Sequence, residues 1–412
     1  MKRHCDFKSC FLRMIFKFSV LFPLFSSSAA ETKGDGTGGL RFPPAVFAVG
    51  NEYQIMLIAP DTLVRIRVGG QFYSDHCNGV RPSVRPVHRF RIPMEKLDRA
   101  GKYEVFCRPL PKRLPYLHKT KPEGETSRSF TFRKVPEKDI RIYHLADTHN
   151  RLEAPAKAAL ASGRIDLLIL NGDIMDSAER RDVLEYPCIL AGKITGGSIP
   201  VICTRGNHEL RGEYAEFLTD YFPNSGGRFY YTVRLGPIWA LVLDGGEDKV
   251  DEYPSYGYTI DCAQHRKEVL EFIQEVVRRG EFRDAGIRCQ QVICHVPFAS
   301  YIGKNAADET ERRRFVIYGE WCKVLRTALR PDLTLCGHVH KNRLEMGSNP
   351  YPFPVITGSM PKPDGGFSGA SIVLKENNAI LKFTDQDGKT ESETAIPLKS
   401  RPAINRITEK RT

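Results

Sequence analysis

The chain has 412 residues, 41% hydrophobic and 27% charged, with a formal net charge of +12. This composition excludes a disordered or fibrous protein, and the length is ample for two domains. A positive chain attracts anions, among them phosphorylated small molecules, nucleic acid and anionic surfaces, but apart from runs such as Arg312-Arg313-Arg314 the charge is dispersed.

At the N-terminus a basic stretch (Lys2, Arg3, Lys8, Arg13, Lys17) precedes an apolar run, Phe18 to Phe25, and then small residues. Ser28-Ala29-Ala30 suits a signal peptidase. The run is shorter than the roughly 20 apolar residues a spanning helix needs. Residues 1–30 therefore read as a signal peptide, which predicts an exported protein, periplasmic or secreted, with no stable membrane insertion after cleavage. The segment holds five basic and one acidic side chain, so its removal leaves a charge of about +8; it also carries Cys5 and Cys10 of the eleven cysteines. Nine remain, an odd number that cannot pair completely.

Residues 31–44 are rich in glycine and threonine and read as a flexible leader. Over 45–135 the period is two: Val64, Ile66 and Val68 alternate with Arg65 and Arg67, and Tyr103, Val105, Cys107, Phe130 and Phe132 alternate with polar neighbours. Proline and glycine punctuate these runs. The pattern predicts a small all-β sandwich of fibronectin or immunoglobulin type. Cys77 and Cys107 share this segment and are candidates for a disulfide in an oxidising compartment. No C-x-x-C spacing occurs, which argues against a zinc–thiolate site.

After Pro136 the texture changes. Apolar runs end one after another at polar residues: Ile140–Ala146 at Asp147, Ile165–Leu170 at Asn171-Gly172-Asp173, and Pro200–Thr204 at Arg205-Gly206-Asn207-His208. Further on, Ile238–Leu243 ends at Asp244, Gln291–Cys294 at His295, and Leu333–Cys336 at Gly337-His338-Val339-His340. Val269, Phe272, Ile273, Val276 and Val277 form a helical stripe, and Val316 to Ala328 another. Strands alternating with helices predict a layered α/β domain over 136–400, in which loops past the strand ends converge on one edge. The stretch Ala370–Leu398 reads as short strands around turns at Asn377-Asn378 and Asp387-Gly388, and 401–412 as a basic tail.

The residues at those strand ends are of one chemical kind. Asp147, His149, Asp173, Asn207, His295, His338 and His340 are oxygen and imidazole donors suited to Fe, Zn or Mn. Seven donors exceed one four-coordinate ion and fit two ions sharing a carboxylate, an arrangement that clamps phosphate and generates a hydroxide nucleophile.

The ordered blocks Asp147-Thr148-His149, Gly172-Asp173, Gly206-Asn207-His208-Glu209, His295 and Gly337-His338-Val339-His340 resemble those of the calcineurin-like metallophosphoesterases: D-x-H, G-D, G-N-H-[DE], a lone His and G-H-x-H. The resemblance covers about residues 140–360. It implies an αββα sandwich flanked by helices and two divalent or trivalent metal ions. It places Asp147, His149 and His340 on the first ion, Asn207, His295 and His338 on the second, and Asp173 between them. His208 would be the catalytic acid facing the leaving group. The implied activity is metal-dependent hydrolysis of phosphomonoesters or phosphodiesters by a metal-bound hydroxide, with a phosphorylated small molecule or a phosphodiester as partner. Alternatives on the same site are an exported nuclease, which would bind nucleic acid, a nucleotidase or a pyrophosphatase. A non-enzymatic alternative is an inactive surface-binding module, which the complete donor set opposes.

Two subfamilies are only partly matched. Purple acid phosphatases also place a β-sandwich in front, but their G-D-x-x-Y tyrosine is replaced here by Asp176, and they have glycine where this chain has His149. Protein Ser/Thr phosphatases share the block Arg205 to Glu209, but Ser177 and Ala178 stand where their second block has Arg and Gly. Outside the blocks, His144 reads as a partner of the site or as core, and Asp244 as an orienting group. Arg205 reads as a phosphate contact or a structural ion pair, and His76, His88, His118 and His265 as ordinary residues.

Overall fold

The structure, a computed structural model, describes residues 40–110, 112–116, 124–302 and 309–399, without the side chains of 309–315. The predicted signal peptide, the leader up to residue 39, His118, the 312–314 arginine side chains and the 401–412 tail lie outside the described residues. Among the described residues no helix is long and apolar enough to cross a membrane.

The first part of the chain runs β1 (Ala45–Val49), β2 (Glu52–Ile58), β3 (Thr62–Val68), β4 (Gln71–Ser74), β5 (Val87–Pro93), α1 (Met94–Ala100), β6 (Lys102–Pro109) and β7 (Thr126–Thr131). There follow β8 (Ile140–Leu145), α2 (Glu153–Ala161), β9 (Leu167–Asn171), α3 (Tyr186–Thr195), β10 (Pro200–Thr204), α4 (Leu218–Tyr221), β11 (Tyr231–Leu235), β12 (Ile238–Leu243), α5 (Cys262–Arg279), β13 (Cys289–Cys294), α6 (Glu309–Val324) and β14 (Leu333–Cys336). The chain closes with β15 (Arg343–Glu345), β16 (Val355–Thr357), β17 (Met360–Pro361), β18 (Phe367–Leu374), β19 (Asn378–Asp385) and β20 (Thr390–Pro397).

Two large sheets face each other. One has the order β20-β19-β18-β8-β9-β10-β1-β2-β5, and the other β11-β12-β13-β14-β16-β15. Their strands β8, β9 and β10, and β12, β13, β14 and β16, are parallel. Strands buried on both faces read as unbroken apolar runs, which is why LLILN in β9 and IWALVL in β12 show no alternation. Between the sheets lies one apolar layer, with Ile142, Ile169 and Ile202 from the first and Val242, Ile293 and Leu335 from the second. The outer face of the first sheet is covered by α2 and α3 through Ala159 and Leu190. The outer face of the second is covered by α5 and α6 through Val269, Ile273 and Trp321. This is the layered helix–sheet–sheet–helix architecture.

The N-terminal strands form a sandwich, but not a detached one. β3, β4, β6 and β7 make their own antiparallel sheet in the order β4-β3-β6-β7. β1, β2 and β5 instead extend the large sheet, because β1 pairs in parallel with β10 at Val46–Pro200 and Phe47–Val201. The sheet therefore crosses the 135/136 boundary drawn from the sequence. The physical reason is β1 itself: AVFAV is buried throughout and needs a neighbour along each edge and a layer over each face. The last leader residues are also fixed, with Leu40 and Pro44 buried. Gly192 in α3 leaves room for them, since a Cβ there would lie 2.2 Å from the Pro43 carbonyl oxygen. Cys77 and Cys107 are both free. Cys107 points into the core from β6, while Cys77 lies exposed beyond β4, so the predicted pairing does not form.

Candidate metal centre

Each candidate ligand sits just past a strand. Asp147 and His149 follow β8, Asp173 follows β9, Asn207 and His208 follow β10, His295 follows β13, and His338 and His340 follow β14. The loops are cross-braced. The Asp147 amide donates to Gly172 O (3.0 Å), His149 N to Asp173 O (3.1 Å) and Gly337 N to His295 O (2.9 Å). Both Asp147 carboxylate oxygens accept from the His338 amide at 2.9 Å.

The backbone is strained where the donors lie. Asp147 (φ 55°), His149 (47°), Asp173 (51°), His338 (75°) and His340 (53°) all occupy the left-handed region, at a cost of about 1–3 kcal/mol each. Glycines at the neighbouring positions serve close approach. A Cβ on Gly206 would lie 2.2 Å from Asp173 Oδ1, and one on Gly337 would lie 2.5 Å from Ala146 Cβ.

Three donor groups have ligand atoms close enough to hold a cation: Asp147 with His149 and His340, Asp173 with His295 and His338, and His149 with Asp173 and His208. Asp173 is common to the last two. His340 Nε2 lies 3.4 Å from Asp147 Oδ1 and 2.8 Å from His149 Nε2. His295 Nε2 lies 3.0 Å from Asp173 Oδ2 and 3.9 Å from Asp147 Oδ1. That nitrogen is buried. An imidazole nitrogen set against two buried carboxylates marks a place where positive charge, a metal ion or a proton, joins the donors. The electrostatics agree. Burial by itself would lower the His295 pKa, but the Asp173 and Asp147 charges outweigh it and raise it to about 10. Burial likewise opposes ionisation of Asp173, and the His295 and His208 contacts overturn it, so its pKa falls below the usual carboxylate range.

The groups behind the donors set their orientation. His295 Nδ1 donates to Asn171 O at 2.7 Å. The Asn171 amide nitrogen lies 3.0 Å from His144 Nε2 and donates to Leu335 O. His144 is thus a buried partner one step removed, and burial, with the His295 charge, pushes its pKa down to about 3. Asp176, at the tyrosine position of the purple acid phosphatases, places Oδ1 2.9 Å from His149 Nδ1. Asn207 donates from Nδ2 to Glu247 Oε1 at 3.2 Å, which leaves its Oδ1 3.0 Å from His338 Nδ1. His338 Nε2 faces Asp248 Oδ2 at 3.1 Å. His208 is held from Nδ1 by Asp176 O (2.7 Å), with Nε2 3.8 Å from Asp173 Oδ2.

Arg205 and Asp244 do not face the donors. Arg205 Nε donates to Asp244 Oδ2 at 2.7 Å and its guanidinium lies over the Phe229 ring. Asp244 also meets His265 Nε2 at 3.2 Å. This is the structural ion pair of the two readings for Arg205. His88 is a buried core residue between Ala59 O and Asp75. The sequence did not single out Arg211, Glu247, Asp248 or Tyr256. The available signal was the acidic pair in Gly245-Gly246-Glu247-Asp248, just beyond the strand end where Asp244 was noted instead.

Residues 140–342 match the sequence model of the calcineurin-like phosphoesterases. The chain carries a calcineurin-like phosphoesterase domain. As an enzyme it is therefore a metallophosphoesterase, a hydrolase of phosphoric ester bonds, and the family implies a dinuclear metal centre. A purple acid phosphatase from yellow lupin (Lupinus luteus) seeds is similar in structure, with a TM-score of 0.50 at 11% identity over 86% of this chain and 74% of that one. A dimetal phosphatase from Danio rerio has a TM-score of 0.44 at 15% identity over 64% of this chain and 100% of that one. Likeness at such identity speaks for the fold alone. No curated protein matches the chain.

Proposed function

We propose that this phosphoesterase hydrolyses small phosphate esters, phosphomonoesters or phosphodiesters, at a centre of two metal ions held by Asp147, His149, Asp173, Asn207, His295, His338 and His340. The observation that carries the reading is the buried His295 Nε2 set 3.0 and 3.9 Å from the carboxylates of Asp173 and Asp147, with the His149 and His340 Nε2 atoms 2.8 Å apart beside them. Oxygen and imidazole donors of this kind suit Fe, Zn or Mn. When bound, such ions supply an activated water and offset charge on the phosphoryl oxygens.

The chain's own residues do the rest. Asp173 lies between the two donor groups and would serve both ions. Asp176 and the Asn171 carbonyl fix the rings of His149 and His295, and Glu247 fixes the face that Asn207 presents. The Asp176 carbonyl holds His208 at Nδ1 and Nε2 accepts from Arg211; a protonated His208 that exchanges the Arg211 contact for the substrate would give its Nε2 proton to the departing oxygen. His208→Ala should retain about two metals per chain by elemental analysis and lose roughly 100-fold or more in kcat with a chromogenic phosphomonoester or phosphodiester. Full turnover in that variant would remove His208 from the mechanism. Failure of the wild type to take up Mn, Fe or Zn would remove the two-metal reading.

A further inference from the structure

One cleft, lined by none of the metal donors, is joined to His208 through Arg211. It has a volume of about 740 Å³, and its walls include Leu210, Arg211, Glu247, Lys249, Tyr256 and Thr259. Arg211 forms the inner end, with Nη1 donating to His208 Nε2 at 2.8 Å. Its Nε and Nη2 donate to Glu247 Oε2 at 3.2 and 2.9 Å, and Nη2 also reaches the Tyr256 hydroxyl at 3.1 Å. The Tyr256 hydroxyl in turn donates to Glu247 Oε2 at 2.6 Å. Glu247 is 1% exposed and also steadies Asn207. The guanidinium is therefore built into the site rather than trailing in solvent, and one chain segment, 245–256, supplies the support of a candidate metal ligand together with a wall of the cleft.

We propose that this cleft is the subsite for the alcohol half of the substrate ester, and that it takes a neutral, ring-containing alcohol of nucleoside size. The proposal rests on the phosphoesterase reading. Three observations carry it. Arg211, which lines the cleft, touches His208, the residue proposed above to serve the leaving oxygen. The volume lies within the roughly 300–1,000 Å³ of small-molecule sites and far exceeds what a one- or two-carbon alcohol fills. The lining mixes a tyrosine ring, Leu210 and Ile260 with the hydroxyls of Ser255 and Thr259, a surface for a ring bearing hydroxyl groups. Its charges balance, Arg211 and Lys249 against Glu216 and Glu247, so it offers no net attraction to the phosphates of a nucleic-acid strand. This deepens the small-ester reading and speaks against a nuclease.

The test compares phosphate release from adenosine 5′-monophosphate and from ethyl phosphate by the metal-loaded protein. Both are esters of primary alcohols, so their intrinsic reactivity is alike and the ratio of kcat/KM reports the subsite. The wild type should favour the nucleotide by roughly tenfold or more. Thr259→Trp should bring the ratio to about one; Thr259 is exposed and its hydroxyl meets only the Tyr256 carbonyl, so the fold tolerates the change. Calorimetric titration with adenosine supplies a readout without turnover, with binding expected in the wild type and lost in Thr259→Trp. Equal kcat/KM in the wild type, a ratio untouched by Thr259→Trp, an oligonucleotide cleaved faster than the mononucleotide, or no adenosine binding would each overturn the subsite. If the loaded wild type hydrolyses no ester at all, the activity reading fails, and the adenosine titration still decides the cleft.

Discussion

Glu209 lies fully buried beneath the candidate metal centre, where its carboxylate accepts from the backbone amides of Gly206 (2.6 Å), Ile174 (2.7 Å) and Asp173 (2.9 Å). It ties the loop after β9 to the loop after β10 and so fixes the Asp173 backbone. Burial and the Asp173 charge push its pKa up, against the pull of His295 and the amides. Glu209→Ala would strand three buried donors, each costing about 1–3 kcal/mol. Urea unfolding should then show a loss of about 3 kcal/mol or more, and metal content should fall as Asp173 loosens. A wild-type urea midpoint would show that water replaces the carboxylate without penalty. Asp244 makes a pH-dependent case. Burial alone would raise its pKa, but Arg205 and His265 outweigh that and hold it below the usual carboxylate range. A folded pKa below the unfolded value of about 4 contributes stability that is fully present above pH 4 and is lost as pH falls through the folded value. Asp244→Asn should therefore be about 2–4 kcal/mol less stable at pH 7, with the gap closing progressively below about pH 4. A gap that is constant from pH 7 to pH 3 would assign the loss to something other than the charge.

Among the elements, what was legible in the sequence follows from where chemistry meets regular structure. A donor placed directly after an apolar run can be located from the run, because a parallel strand delivers its next residue to the sheet's C-terminal edge. The six runs after Pro136 and the layered fold could be read for that reason. The 245–261 segment could not. It returns to the site by a path set by tertiary contacts, so Asp244 drew notice at the strand end while Glu247 and Asp248, a few residues later, face the site. The device that folds this segment is Arg266 on α5. Its guanidinium is buried and donates to the carbonyls of Gly245, Glu247 and Lys249, and it lies 5.6 Å from the Tyr318 ring centre. A helix-facing arginine in an amphipathic stretch carries no sequence mark that distinguishes it from a solvated one. Arg266→Met keeps the bulk and removes the three donors. The 245–256 segment should then become a site of limited proteolysis, and kcat/KM should fall by roughly tenfold or more through Glu247 and Asn207. Protease resistance equal to wild type would show that the segment holds its path without the arginine.

For the molecule as a whole, the alternation over 45–135 correctly suggested β-structure but could not show that β1 joins β10, since strand pairing across 150 residues leaves no local pattern. The consequence is a shared core. Val46, Ile55, Phe90 and Tyr103 belong to the same apolar layer as Ile142, Ile202 and Ile293, and the Tyr103 hydroxyl donates to Gly197 O at 3.0 Å. A chain beginning at residue 136 would leave β10 with an unpaired edge and would strip the shared apolar layer of its N-terminal residues. Exposed edges of apolar strands promote aggregation, and the lost burial is worth about 25 cal/mol for each Å² of apolar surface. Residues 136–412 expressed alone should accordingly aggregate or bind a hydrophobic dye, and should lack the cooperative unfolding of the longer protein. Two separate domains, as the sequence boundary implies, would behave differently: the fragment would be a soluble monomer with wild-type metal content and a sharp transition of its own. That outcome would mean that the β1–β10 pairing joins two bodies that are already stable, and that the N-terminal sandwich serves the enzyme in some way other than completing its core.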